Sequence, residues 1–185
     1  PDAAWRKAAA QRIDNHRKAD LTVMVTDASG RAVPGATVAV TQQRHAFWFG
    51  TTVAVPLLYE DNEASRPYRK VLLELFNHCS TENALKWPPW VSKGGHWNRD
   101  NTLKVLRWMQ ENDLHVHGHV ILWPSWRRVP RHLRTLKNTP DKLREAVRER
   151  IADVVSAKRG MTDDWDVVNE PYSNHDMMDV LGDDA

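Results

Sequence analysis

From residue 47 onward the chain alternates short β-rich runs with amphipathic stretches, and this alternation limits the fold more than any other feature of the 185 residues. The β-rich runs fall at 47–53, 77–81, 116–123 and 165–169. Between them the spacing predicts helices over about 67–76 and 101–112, the latter with Asp100 as its N-cap. A third helix is marked by Thr139 as a cap, Pro140 in the first turn and Gly160 as a stop. Its apolar stripe comprises Leu143, Ala146, Val147, Ile151, Val154 and Val155. A further helix begins over 176–181. Strands separated by helices pair in parallel, because a parallel partner is reached only through a crossover. The expectation is an α/β fold with four βα units. Four units do not close a (β/α)8 barrel, which typically needs about 250 residues. An open four-stranded sheet is the alternative, but no GxGxxG or P-loop marks a nucleotide site at its switch point.

The first 43 residues follow a different pattern. Residues 3–17 read as a short helix, Leu21, Val23 and Val25 alternate with polar positions, and Asp27-Ala28-Ser29-Gly30 supplies a turn. A second β-rich run at 36–40 follows Pro34-Gly35. Residues 1–43 are therefore expected to form an extension of a helix and a β-hairpin, with 44–185 as the main unit. Apolar residues at 41% and charged residues at 27% place the chain among folded domains, away from disorder. No apolar run reaches the roughly 20 residues of a membrane span, so no membrane partner is expected. Cys79 is the only cysteine, which excludes an intrachain disulfide and leaves the redox compartment open. Residues 127–150 hold nine Arg/Lys against three acids. That excess suits an anionic partner, but much of it falls on the outer face of a helix, and no nucleic-acid partner is expected.

Three segments carry candidate chemistry. Trp165-Asp166-Val167-Val168-Asn169-Glu170-Pro171 reads as a buried strand ending in an amide and a carboxylate, and Pro171 ends the ladder so that Glu170 lies at its C-terminal rim. A strand-end Glu paired with an Arg would look the same in isolation. In a regular strand Asn169 and Glu170 face opposite ways, so a shared role requires a twist or bulge. Glu82, Asn83 and Lys86 follow the second strand, either as a surface ion pair or as a hydroxyl clamp for a polyol, beside Trp87 and Trp90 as ring-stacking faces or as packing. His115, His117 and His119 alternate on the third strand, a spacing that suits a metal as well as substrate contacts or polar packing. The nine Trp against three Phe add broad π faces with an N–H donor.

Together these segments resemble glycoside hydrolase family 10, the retaining endo-1,4-β-xylanases. The matching text is Thr81-Glu82-Asn83-Ala84-Leu85-Lys86-Trp87, Gly118-His119-Val120-Ile121-Leu122-Trp123 and Trp165-Asp166-Val167-Val168-Asn169-Glu170, in order and each at a predicted strand end. The resemblance covers roughly residues 46–181 and implies a partial TIM (β/α)8 barrel, about its first four βα units, preceded by a small β-rich extension. It implies Glu170 as general acid/base, Asn169 on the 2-hydroxyl of the sugar at the cleavage point, and Glu82, Asn83 and Lys86 on the glycone sugars. His119, Trp87 and Trp123 would line the same cleft. His117 stands where many members carry Arg, and Pro124-Ser125-Trp126 where many carry His-Ser-Gln, so the lower subsites are expected to differ.

The family nucleophile is a Glu on the seventh strand, for which this chain offers no counterpart; Asp166, near the start of its strand, is a poor substitute. The expected function is a retaining hydrolase of β-1,4-xylan or xylooligosaccharides, without cofactor or metal, whose nucleophile lies outside this chain, either on a complementary polypeptide or on a longer form of this one. Alone, the chain is expected to be inactive. The resemblance also implies a secreted or periplasmic location. A carbohydrate-binding protein without turnover, and a metal-dependent barrel hydrolase built on His115, His117 and His119, are the alternatives.

Overall fold

The computed structural model describes residues 4–182, and the chain divides into two units, Pro1–Gln43 and Arg44–Ala185. In the first unit helix α1 (Ala4–Arg17) buries none of its residues. The expected hairpin is reduced to one antiparallel bridge, Thr26 to Ala32. The turn between them is held by the Asp27 carboxylate, which accepts from the backbone N–H of Ser29 at 2.8 Å and of Arg31 at 3.0 Å. The flanking runs 21–25 and 36–40 form no ladder and are exposed throughout. A two-stranded ribbon with neither face covered gains too little burial to hold its pairing.

The second unit carries a four-stranded parallel sheet in the order β1-β2-β3-β4, formed by Gly50–Val53, His78–Thr81, His115–Gly118 and Asp164–Trp165. His78 and Ser80 of β2 lie beside His115 and His117 of β3. The period of two then decides the faces: Cys79, Thr81, Val116 and Gly118 are buried, while His78, Ser80, His115 and His117 occupy the opposite, half-buried face. Helices α2 (Val55–Tyr59), α3 (Ser65–Leu75), α4 (Trp87–Trp90), α5 (Arg99–Glu111), α6 (Pro140–Ala157) and α7 (Asp176–Leu181) connect or follow the strands, with a 3₁₀ turn over Arg131–Leu136. Leu72 of α3, Val105, Leu106 and Met109 of α5 and Val154 of α6 close the main core over the buried strand positions.

Three expectations shift. The N-cap of α5 is Asn98, whose side chain accepts from the Asn101 N–H, and Asp100 lies inside the first turn. Thr139 takes the N-cap position of α6 but makes no side-chain cap bond, and of the expected stripe Ile151 and Val155 stay 40% and 44% exposed. The β3–β4 ladder breaks after Gly118 and Trp165 and resumes at the bridge between Leu122 and Val168, with one residue more on the β3 side. This bulge spans His119 and Val120, so the continuous strands expected over 116–123 and 165–169 are interrupted. Gly118 is dictated by close approach: a Cβ there would lie 2.3 Å from the Trp165 ring.

Candidate active site

Parallel strands place their C-terminal ends on one rim, and the three singled-out segments all leave the sheet there. After β2, the Glu82 N–H donates to Val53 O at 3.3 Å and the Lys86 N–H to Asn83 O at 3.0 Å, which folds Glu82 to Lys86 into a tight turn. The Lys86 ammonium donates to Asn83 Oδ1 at 2.8 Å rather than pairing directly with Glu82. Its Nζ also lies 5.1 Å from the centre of the Trp123 ring, and the Arg128 guanidinium lies 4.2 Å from that same centre. Burial and then the positive charge of Arg128 hold Lys86 below the ordinary lysine range, while Glu82 and Glu170 pull the other way. Residues from the ends of three strands thus share one electrostatic environment. The His119 and Trp123 rings meet in a T-shaped pair with centres 6.5 Å apart.

Five residues beyond β4, Glu170 adopts φ +51°, in the left-handed region. A side chain other than glycine is uncommon there and marks a specified turn. The turn is closed by the Asn174 N–H on Glu170 O at 2.9 Å, and the Asn174 side chain donates to Glu170 Oε2 at 2.9 Å. Regular strand pairing has ended at Trp165, with the single bridge at Val168 beyond it, and the turn at Glu170 follows one residue after Asn169. Asn169 is half-buried, with its N–H on Leu122 O at 2.9 Å, and Glu170 is exposed.

Trp87 departs from its expected place. It opens α4 and is only 8% exposed, packed with Val129, Leu133, Leu143 and Met177, so it has no open ring face. Trp90, three residues on, is buried as well and donates its indole N–H to Asp153 at 2.6 Å, because positions three apart share a helix face.

The three strand histidines do not converge on a common centre. His115 Nδ1 meets Asp163 at 3.4 Å and its ring stacks on Trp48 with centres 4.4 Å apart. His117 bridges Asp164 at 2.7 Å and Asp166 at 3.1 Å, and His119 meets the same Asp166 oxygen at 2.7 Å. Among the described residues no group of three His, Cys, Asp or Glu side chains is arranged to hold a metal. Burial disfavours a charged His117, but the bonds to Asp164 and Asp166 outweigh it and raise its pKa. Asp166 is lowered in turn: burial would raise it, and its bonds to His119 and His117 prevail.

Two positioning groups escape a reading of sequence. Arg150, 3% exposed, donates to the carbonyls of Ile121, Val120 and Leu85 and so ties α6 to both the β2 and the β3 segments of the site. Its signal is spacing: it stands seven residues after Leu143 and four before Val154, on the buried stripe. Asp176 of α7 accepts from Ser125 Oγ at 2.8 Å and from the Trp126 N–H at 2.9 Å, which fixes the loop that carries Arg128.

Comparison with known proteins places this geometry. Residues 38–183 match the model of glycosyl hydrolase family 10. The chain is 30% identical over 178 residues to the anti-sigma-I factor RsgI6 of Acetivibrio thermocellus, covering 96% of this chain and 22% of that protein. It is 28% identical over 172 residues to endo-1,4-beta-xylanase 5 of Arabidopsis thaliana, covering 90% of this chain and 28% of the relative. Among solved structures, a family 10 endoxylanase retrieved from a sugarcane soil metagenome superposes with a TM-score of 0.63 at 23% identity, over 75% of this chain and 42% of that one. That likeness shows the fold: the four parallel βα units are part of a (β/α)8 barrel. The chain spans well under half the length of these proteins.

Proposed function

The chain belongs to glycosyl hydrolase family 10, and from that membership we propose that it supplies the general acid/base and the glycone-binding half of a retaining β-1,4-xylanase. In this reading residues 1–43 are an extension and 44–185 the N-terminal half of the catalytic barrel. The observation that carries it is the meeting of Lys86, Asn83 and Trp123 in one charge environment with Glu82 and Glu170 at the strand rim. A carboxylate, an amide and an ammonium offer a sugar both acceptors and donors, while an indole offers its rings a flat apolar partner.

Glu170 protonates the departing glycosidic oxygen and later takes a proton from the attacking water. Asn169 holds the 2-hydroxyl, and Glu82, Asn83 and Lys86 hold the sugars on the non-reducing side, with His119 and Trp123 beside them. Trp87 supports the clamp from beneath. Retention requires a second carboxylate about 5–5.5 Å from the first to form the glycosyl-enzyme intermediate. That nucleophile comes from outside these 185 residues, on a complementary part of the barrel. A polymeric substrate is met outside the cytoplasm, so a secreted or periplasmic site of action accompanies the proposal.

Titration calorimetry of the chain with xylotriose, with reducing-sugar release from β-1,4-xylan measured after adding a polypeptide that carries the remaining strands, tests it. Binding by the chain, hydrolysis only in the mixture, and loss of that hydrolysis in Glu170→Gln are expected. Failure to bind together with full hydrolysis by the Glu170→Gln mixture would overturn the assignment. Carbohydrate binding without turnover is the second reading, favoured by the 30% identity to a protein named as an anti-sigma factor rather than a hydrolase. Binding with no hydrolysis in the mixture selects it.

A further inference from the structure

On the half-buried face of the sheet and just beyond it, ionisable side chains follow one another from Asp164 to His119, and the proposed function uses only the last of them. Asp164 Oδ1 lies 2.7 Å from His117 Nδ1, His117 Nε2 lies 3.1 Å from Asp166 Oδ2, and that same oxygen lies 2.7 Å from His119 Nδ1. A carboxylate ion accepts hydrogen bonds and donates none. Both ring nitrogens of His117 therefore carry protons, and the ring is an imidazolium. By the same rule His119 carries a proton on Nδ1, so its partner Asp166 sets its tautomer.

The neighbours of His117 suit a charge at that position. On β2 the His78 ring meets it in a T-shaped pair with centres 6.2 Å apart. Burial holds His78 below the ordinary histidine range, with His117 and His115 adding to the effect and Asp164 and Asp163 opposing it. Two residues back along β3, His115 is engaged by Asp163 at 3.4 Å and by the Trp48 ring. The backbone of Asp166 is pinned on both sides of the bulge, its N–H on Gly118 O at 3.1 Å and its carbonyl accepting from the Ile121 N–H at 3.1 Å. With the backbone fixed, the Asp166 carboxylate answers to the two imidazoles it holds.

We propose that His117 is a positioning residue, an imidazolium held between Asp164 and Asp166 that, through Asp166, fixes the His119 ring beside Trp123 and makes sugar binding there weaken as pH rises. The assignment rests on the reading of His119 and Trp123 as part of a xylan cleft. When His117 gives up a proton, one of its nitrogens turns a lone pair towards a carboxylate oxygen, at a separation that only a shared proton makes favourable. That contact opens, and the Asp166 carboxylate is released to turn with His119. Burial disfavours the charge on His117, but the bonds to Asp164 and Asp166 prevail and lift its pKa above the ordinary value of about 6.5. The closed arrangement is therefore complete below that value and is lost as pH rises through the higher folded one.

Calorimetry with xylotriose from about pH 6 to about pH 9, alongside nitrogen NMR of the histidine rings, tests the proposal. At about pH 6.5 both nitrogens of His117 are expected to be protonated, with a proton on His119 Nδ1. Affinity for xylotriose should fall about fivefold as His117 titrates, the worth of one hydrogen bond. His117→Arg keeps a cation throughout this range and should level the profile at its tight end, whereas His117→Gln should level it at its weak end. Asp164→Asn leaves one charge fewer beside the ring and should move the midpoint to lower pH, a shift that a purely structural role for His117 does not produce. A bare nitrogen on His117 at about pH 6.5 would overturn the proposal. So would xylotriose binding whose pH dependence is the same in the unaltered protein and in His117→Gln, and that result leaves the sugar cleft standing. Failure of xylotriose to bind at any pH, with the His117 signals as expected, overturns the cleft and with it the coupling to sugar.

Discussion

At the scale of single residues the costliest side chain is Lys158. It is 1% exposed, its ammonium nitrogen has no hydrogen-bond partner, and it lies 4.5 Å and 4.4 Å from the ring centres of Trp90 and Trp165. The two indole faces favour a cation, but burial, with Arg150 adding to it, outweighs them and Asp153 and pushes the lysine pKa down to about 6. The unfolded chain holds that proton up to a pH of about 10.4. Between these two values the unfolded state binds more protons than the folded one, so stability rises with pH, by about 1 kcal/mol per unit. Below the folded value both states are protonated and this slope vanishes. Urea denaturation from pH 7 to pH 9 is expected to show the rise, and Lys158→Met to flatten it while stabilising the protein at pH 7. Identical slopes for the two proteins would exclude a neutral buried amine. Nothing in the sequence announces this group, because a lysine directly after a helix ordinarily serves the helix dipole from solvent. Glu170 and Asn169 stand out as candidates in the sequence for the opposite reason: an abrupt change from apolar to polar just before Pro171 is local, whereas the partners of Lys158 stand 68 residues before it and seven after.

At the scale of elements the ends of helices and strands carry the information that periodicity lacks. Replacing Asn98 removes the acceptor for the Asn101 N–H and is expected to cost about 1 kcal/mol. Asp100→Ala removes only a favourable charge near the helix dipole, about 0.3–1 kcal/mol when exposed. Thermal unfolding of the two variants orders them, and a larger loss for Asp100→Ala would restore the cap expected from sequence. Both residues are good caps by type, and what separates them is where the chain turns after Trp97, a tertiary matter. The existence and order of the four strands and of α3, α5, α6 and α7 were legible, because strand faces repeat every second residue and helix faces every three or four, whereas the short α2 and α4 span too few residues to show a period. The bulge at His119 and Val120 was not, since register is a property of two strands at once. Nor was the fate of Trp87, whose residue type suits a sugar platform and a core equally. The hairpin of the first unit shows the converse limit: alternation in 21–25 without a surface to cover leaves one bridge in place of a ladder.

At the scale of the whole molecule the sheet formed by the described residues ends on β1 and β4, and the segment that continues β4 is apolar. Val167 and Val168 are 58% and 41% exposed, and on α6 Ile151 and Val155 are 40% and 44% exposed. No strand pairs with the far side of β4 among the described residues. An uncovered parallel strand is a template for further pairing, and burying its apolar side chains supplies about 25 cal/mol per Å². The likeness to 42% of a complete barrel gives the geometry of what would cover it: further parallel βα units. The chain studied alone is therefore expected to associate as its concentration rises, and to be drawn out of that association by a polypeptide carrying the remaining strands, in a complex of one copy of each. Sedimentation velocity over a wide concentration range reads both effects. Val168→Lys places a charge at the edge and should weaken both. A chain that stays monomeric throughout and takes up no partner would show the β4 edge to be self-sufficient, and the exposed valines to be ordinary surface residues.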